Sequence, residues 1–436
     1  MNTPPLKPPS GSRDFLPPEA RRREAVFGRI KSVFALHGFE PMDTPAFERI
    51  EVLAGKYGDE GDKLIFKILK RGDKAASGEA DLALRYDLTV PTVRVYASRR
   101  GELPRIFKRY QIGPVWRADR PGRGRFREFY QCDVDIFGGA TPVADVDVIT
   151  TLAAALAAVG LARFDIRLNS RRVLYAMMES YGVTEADHGG ALIALDKIDK
   201  VGLDGVRAEL GERGLAGDVV TALCDDIGRD DFDQILRDRL KGSDAGAEGL
   251  AEVDTILAHA AGGIGEAAIR FDPILARGLD YYTGAIYEFV ADGGSSSIAG
   301  GGRYDNLTGM FMKDTVPVCG GSLGIERILM LLDDTADTAP APRAYVTVWD
   351  AAATDHALGL AATLRAAGIA AEVDLGGSKI GRQFKTANDR GCRFTLVVGP
   401  EEQAAGTVMV KDLASGDQQA VAEAEVVAHV SSLIET

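Results

Sequence analysis

Side chains alternate most strictly between Arg125 and Ile136. Phe126, Glu128, Tyr130, Cys132, Val134 and Ile136 fall on one face of an extended strand, because successive side chains on a strand point to opposite sides. That face is mostly apolar and suits a core. Arg125, Arg127, Phe129, Gln131, Asp133 and Asp135 share the other face. Cations, carboxylates, an amide and an aromatic ring on one surface suit a ligand with phosphates, a flat base and an ammonium group. A preceding strand runs from Ile106 towards Trp116-Arg117, and Pro121-Gly122-Arg123-Gly124 supplies a turn. Glycines there tolerate the positive φ angles of a tight loop, so the pattern predicts an antiparallel hairpin.

Elsewhere the apolar spacing predicts a helix over 19–37, opening at Pro17-Pro18-Glu19 and ending near Gly38. Strands are predicted at 39–47, 64–70 and 82–87, an Ala-rich helix at 142–159 and a strand at 164–168. Residues 171–258 read as mostly helical, with acidic faces and glycine breaks. Gly320-Gly321-Ser322-Leu323-Gly324 leads into an apolar helix, and the acidic, proline-bearing stretch 333–342 reads as a linker. Beyond it strands and helices alternate as βαβαβ units, a small α/β domain.

A chain of 436 residues suggests two or three domains. The first residues have no apolar signal region, and no apolar run approaches a membrane span, so the reading is a cytoplasmic protein with no membrane partner. Four distant cysteines without a CxxC pair argue against zinc and against a disulfide framework. Five scattered histidines have no neighbouring nucleophile or ligand. The net charge of −13 opposes a polyanionic partner, but Arg94–Arg127 holds eleven Lys/Arg against two acids. Charge distribution rather than the total sets the footprint.

Candidate chemistry collects in four segments. In Arg85-Tyr86-Asp87-Leu88-Thr89 a carboxylate and a hydroxyl two residues apart share a face of a strand and can jointly receive an ammonium group. The same residues could instead cap the helix that follows. Arg277-Gly278 precedes a strand beside Tyr281-Tyr282; Gly300-Gly301-Gly302-Arg303-Tyr304-Asp305 brings backbone close to a ligand; Glu326-Arg327 begins the apolar helix. An ion pair at the helix start accounts for Glu326 equally well.

Arg117-Ala118-Asp119, the basic loop, and the Arg125, Phe129, Asp133 spacing resemble motif 2 of the class II aminoacyl-tRNA synthetases. GRGRFREFYQCDVD, ARGLDYYT and GGGRYD resemble the histidyl-tRNA synthetases in particular, and GGSLGIER resembles motif 3. Leu195-Asp196-Lys197-Ile198-Asp199-Lys200 is similar to a segment of that family, and the first helix with Pro45 is weakly similar to motif 1.

The resemblance implies an α+β fold: a class II antiparallel sheet core flanked by helices, a helical insertion, and a C-terminal α/β anticodon-binding domain. Its expected boundaries are 1–332 for the catalytic core with the insertion at about 171–258, a linker at 333–342, and 343–436 for the anticodon domain. It implies an L-histidine–tRNA(His) ligase that uses ATP, with Mg2+ on the phosphates, and a homodimer formed through motif 1.

For the site it implies Arg117 and Arg277 as catalytic cations on the α-phosphate. Asp87, Thr89 and Gln131 would hold the α-ammonium; Asp135, Tyr282 and Tyr304 would read the imidazole, with Tyr281 lining the pocket. Phe129 would stack on adenine, and Asp119, Arg125 and Arg327 would complete the ATP site. Ala118-Asp119 stands where many bacterial members have His-Glu, which predicts altered recognition of the extra 5′ guanosine of histidine tRNAs. A noncatalytic regulatory paralogue of histidine biosynthesis is the rival, disfavoured by the intact signatures and the C-terminal tail.

Overall fold

A computed structural model describes residues 5–276, 281–291, 297–332 and 343–435, apart from the side chains of 59, 60 and 435. Contacts divide the chain into two compact units, Met1–Ala336 and Asp337–Thr436.

The first unit opens with helix Pro17–Leu36, then β1 (Glu40–Pro41), β2 (Phe47–Arg49), β3 (Lys67–Leu69) and β4 (Ala80–Leu84). The hairpin follows as β5 (Phe107–Trp116) and β6 (Glu128–Phe137), then helix Pro142–Ala158 and β7 (Phe164–Ser170). Helices follow from Arg171–Ser180 to Asp244–Ala260, in the stretch expected to be mostly helical, before β8 (Ala268–Phe271), β9 (Ala285–Ala291), β10 (Ser297–Arg303), β11 (Val318–Gly324) and helix Ile325–Leu331. The main sheet runs β1-β5-β6-β11-β10-β9-β7-β8. Its middle is antiparallel, while β1 and β8 join the edges in parallel. A small antiparallel sheet, β2-β4-β3, stands apart.

Alternation along β6 decides the layering. Cys132, Val134 and Ile136 enter the core with Ile30 and Phe34 of the first helix and Ile149 and Leu152 of helix Pro142–Ala158. Each fully buried aliphatic side chain there contributes about 1.5–3 kcal/mol. Gln131, Asp133 and Asp135 consequently face away, where a cavity lies.

Several expected elements differ. The 39–47 strand divides into β1 and β2, because the chain leaves the main sheet after Pro41 and joins the small one at Phe47. The 64–70 strand shrinks to β3, and 82–87 becomes β4, ending at Leu84. The glycine-rich lead into the helix, Gly320–Gly324, is itself strand, part of β11 and paired on both edges. The expected linker 333–342 lies outside the described residues.

The second unit contains β12 (Arg343–Val346), β13 (Ala370–Val373), β14 (Phe394–Val397), β15 (Thr407–Asp412) and β16 (Gln418–Ala422). Their order is β13-β12-β14-β15-β16. The first three strands are parallel with helical crossovers, as expected. An antiparallel hairpin, β15–β16, extends the sheet beyond the predicted βαβαβ pattern.

Candidate active site

A cavity of about 470 Å³ opens on the polar face of β6 and gathers residues from β6, β10, β11, the segment after β4 and the motif 2 loop. Of the expected site residues, Asp87, Thr89, Arg117, Asp119, Arg125, Phe129, Gln131, Asp135, Tyr281, Tyr282, Tyr304 and Arg327 all line it. Arg277 lies outside the described residues.

Asp87 and Thr89 do not sit on a strand. β4 has ended, and Asp87 precedes helix Thr89–Arg99. Arg85 fixes this crossing by donating to the carbonyls of Thr44 (2.7 Å) and Pro114 (2.8 Å). One oxygen of the Asp87 carboxylate takes the capping role that the sequence offered as an alternative. Asp87 Oδ1 accepts from the Val90 amide at 3.0 Å and the Tyr57 hydroxyl at 3.1 Å. Its Oδ2 is buried and has no hydrogen-bond partner among the described residues. Burial raises the Asp87 pKa, opposed by the Val90 hydrogen bond and Arg117.

Two further carboxylates stand on β6. Asp135 accepts from the Tyr304 hydroxyl and pairs with Arg109, whose side chain has no solvent exposure. The Arg109 contact lacks hydrogen-bond geometry, leaving Asp135 Oδ2 without a donor among the described residues. Burial raises the Asp135 pKa while Arg109 and Tyr304 lower it. Asp133 is pushed up to about 7 by burial, with Arg109 opposing and Asp135 reinforcing. Gln131 donates to Ser322 Oγ at 3.3 Å, and its buried Oε1 has no partner among the described residues. A cationic ligand entering here would stabilise the ionised carboxylates.

The tyrosines form one aromatic wall. Ring centroids lie 5.1 Å apart for Tyr281–Tyr282 and 5.6 Å for Tyr281–Tyr304. β10 and β11 carry glycines because other groups occupy the space a side chain would need. A Cβ on Gly320 would fall 2.2 Å from Asp135 Oδ1 and 2.7 Å from the Tyr304 hydroxyl. One on Gly302 would meet the Ala285 carbonyl at 2.5 Å and the Tyr282 ring at 2.8 Å. Gly302, expected to bring backbone close to a ligand, and Gly320, expected only as part of the lead into the helix, both make room for the residues of the acid pocket and its wall.

Cations line the same cavity. Arg117 donates Nε to the Tyr86 carbonyl at 3.1 Å and lies over the Phe129 ring at 5.3 Å. Arg327 donates to the Ser297 carbonyl at 2.7 Å. Burial and neighbouring Arg125 lower its pKa. Neither Arg117 nor Arg327 has a carboxylate partner among the described residues. Arg125 and Asp119 engage one another at 2.6 Å. Adjacent Glu326 is ion-paired, though not with Arg327: Arg23 reaches both its oxygens and Arg13 joins them.

Sequence reasoning missed Arg109, counted only within the basic stretch, and Asp133, which shares the site face. The alternating pattern was a signal for Asp133. Nothing local marked Arg109; its pairing is created by the register that sets it opposite Asp135. Much of the basic stretch is similarly engaged: Arg94 with Glu48, Arg99 with Glu102 and Lys108 with Asp147.

The description "Histidyl-tRNA synthetase" matches residues 11–328, and "Anticodon binding domain" matches 343–433. A histidine–tRNA ligase of Gloeobacter violaceus is 38% identical, covering 94% of this chain and 95% of its own. That of Leifsonia xyli subsp. xyli is 43% identical over 80% and 84%. The crystal structure of histidyl-tRNA synthetase from Nostoc sp. PCC 7120 superposes with a TM-score of 0.81 at 28% identity, covering 99% of this chain and 100% of that one. A Bacillus halodurans chain described as an ATP phosphoribosyltransferase regulatory subunit/histidyl-tRNA synthetase shares the fold, with a TM-score of 0.72, 23% identity and coverage of 87% and 96%.

Proposed function

The chain belongs to the histidyl-tRNA synthetase family and has the activity of a histidine–tRNA ligase, and on that premise we propose how its cavity divides the work. The reaction activates L-histidine with ATP to histidyl-adenylate and pyrophosphate, then transfers histidine to the 3′ end of tRNA(His). The observation that carries the assignment of roles is that one cavity is lined both by the buried carboxylates Asp87, Asp133 and Asp135 and by the guanidinium groups of Arg117 and Arg327.

Histidine binds with its α-ammonium against Asp87 Oδ2, Thr89 and Gln131. Its imidazole N–H donates to Asp135, and Tyr282 and Tyr304 border the ring above Tyr281. A site built for polar partners rejects isosteres because their loss leaves buried groups unpaired. ATP places adenine on Phe129, beside Arg125 and Asp119, with its phosphates towards Arg117, Arg277 and Arg327.

A histidine carboxylate oxygen then attacks the α-phosphorus; that O–P bond forms as the bond to the bridging oxygen breaks, and pyrophosphate leaves. The substrate supplies the nucleophile, so the protein orients the reactants and neutralises growing charge. In the second step the terminal ribose hydroxyl attacks the activated carbonyl and AMP departs. Among the described residues no cluster of three metal-ligating side chains occurs. Magnesium would accompany the phosphates of ATP and help offset their charge.

Exposed Arg120 and Arg123 in the motif 2 loop suit the acceptor end of tRNA, and Lys379, Arg382 and Lys385 on helix Ile380–Asp389 and its cap suit the anticodon end. The domain assignment follows the expected division: catalytic core 1–332, linker 333–342 and anticodon-binding domain 343–436. Exposed Leu36 and Phe47 in the motif 1 region support a homodimer. No described helix is long and apolar enough to cross a membrane, and we assign the protein to the cytoplasm.

ATP–pyrophosphate exchange against each amino acid, without tRNA, tests the reading. Exchange is expected with histidine alone and lost in Arg277→Ala and Asp135→Asn. A folded protein that exchanges with no amino acid would overturn it in favour of a regulatory paralogue.

A further inference from the structure

The insertion helices contribute one side chain to the cavity, Lys200. It lies on a short helical segment, Ile198–Val201, that ends at Gly202 with φ 70° and ψ 175°. A residue with a Cβ is strongly disfavoured there, so Gly202 sets where the segment turns away. Two ion pairs hold this turn. Asp199 meets Arg167 of β7 at 3.0 Å, tying the insertion to the sheet. Lys197 meets Glu209 at 2.7 Å, linking both sides of the break.

A second hollow of about 290 Å³ continues beneath the turn, and Lys200, Ser297 and Arg327 border both spaces. Of the four acids lining it, Asp196, Asp199, Asp272 and Glu288, two share Arg167, which lies 3.0 Å from Asp199 and 3.8 Å from Asp272. Lys200, like Arg327, has no carboxylate partner among the described residues. Two cations from separate structural modules, neither in a direct ion pair among the described residues, thus flank the junction of the hollows. This is a setting for a multiply charged anion.

We propose that Lys200 binds the β- and γ-phosphates of ATP, and the pyrophosphate that leaves, so that the insertion takes part in adenylate formation. The inference rests on the ligase reading above. It assigns Lys200 no covalent step; the ammonium offsets charge on the leaving group from the side opposite the sheet residues. The Asp199–Arg167 pair positions it.

The test is histidine-dependent ATP–pyrophosphate exchange by the full chain, with ATP, pyrophosphate and histidine varied separately. Lys200→Ala should raise KM for ATP and for pyrophosphate about tenfold, the loss expected for one charge-assisted contact. KM for histidine should stay within twofold, and Lys200→Arg should recover most of the loss. Asp199→Asn should show the same pattern more weakly. Because Lys200 is exposed, its variant should melt as the unmutated chain does.

Unchanged exchange in Lys200→Ala, or a defect confined to KM for tRNA, would overturn the proposal while leaving the ligase reading intact. No exchange in the unmutated chain would remove both.

Discussion

The guanidinium of Arg109 pairs with the carboxylate of Asp135 below the cavity, and neither side chain is more than 2% exposed. Arg109 thereby opposes the burial that pushes the pKa of Asp135 and Asp133 upward. Removing one partner of a buried pair costs about 3–5 kcal/mol. Arg109→Leu should lower stability by that order in denaturant titrations and leave Asp135 a poorer acceptor. Asp135→Asn should reduce kcat/KM for histidine by a hundredfold or more, with KM for ATP little changed. An Asn variant that activates histidine normally would remove Asp135 from the imidazole site.

Asp133 should make histidine binding dependent on pH. With its pKa at about 7 in the free protein, an arriving ammonium group favours the carboxylate and expels a proton. Affinity should therefore fall as pH drops below about 7. Calorimetry at pH 6.5 in buffers of different ionisation heat should show proton release, reduced in Asp133→Asn; equal release by both proteins would count against this role. Linkage with folding has the opposite slope. A carboxyl whose folded pKa is raised holds its proton longer than in the unfolded chain, so its contribution to stability declines as pH rises from about 4 to about 7.

Gly320→Ala tests the crowding around Asp135. Its new methyl would meet Asp135 Oδ1 at 2.2 Å and the Val134 carbonyl at 2.6 Å. Displacing either should cost about 1–3 kcal/mol and reduce histidine-dependent exchange at least tenfold. Near-normal thermal stability and exchange would mean that β11 shifts without disturbing Asp135.

Glu326 should matter for stability rather than for substrate. It is buried and bridges Arg13, in the segment before the first helix, to Arg23 within that helix. Arg13 also stacks on Phe126 of the motif 2 loop at 3.7 Å. Glu326→Ala leaves Arg23 buried without its carboxylate, and denaturant titration should show a loss of about 3–5 kcal/mol. KM for histidine should change little in the folded fraction.

Local patterns made the hairpin, the first helix and most of the cavity lining legible. The alternation from Arg125 to Ile136 separated core from site before any contact was known, since strand geometry assigns each side chain a face. The capping contact of Asp87 was less legible. Whether its oxygens cap a helix or meet a ligand depends on where β4 ends and on Tyr57, thirty positions earlier.

The linear chain thus determined which chemical groups were available, their faces on each element, and through motif wording the family. Tertiary structure decided which groups became partners. Arg109 could have been a solvated surface cation and Lys200 an ordinary helix lysine. Strand register buries the first against Asp135, and the turn at Gly202 accompanies placement of the second over the cavity. Charge interactions depend on separation and burial in space, and neither quantity is contained in the spacing of residues along the chain.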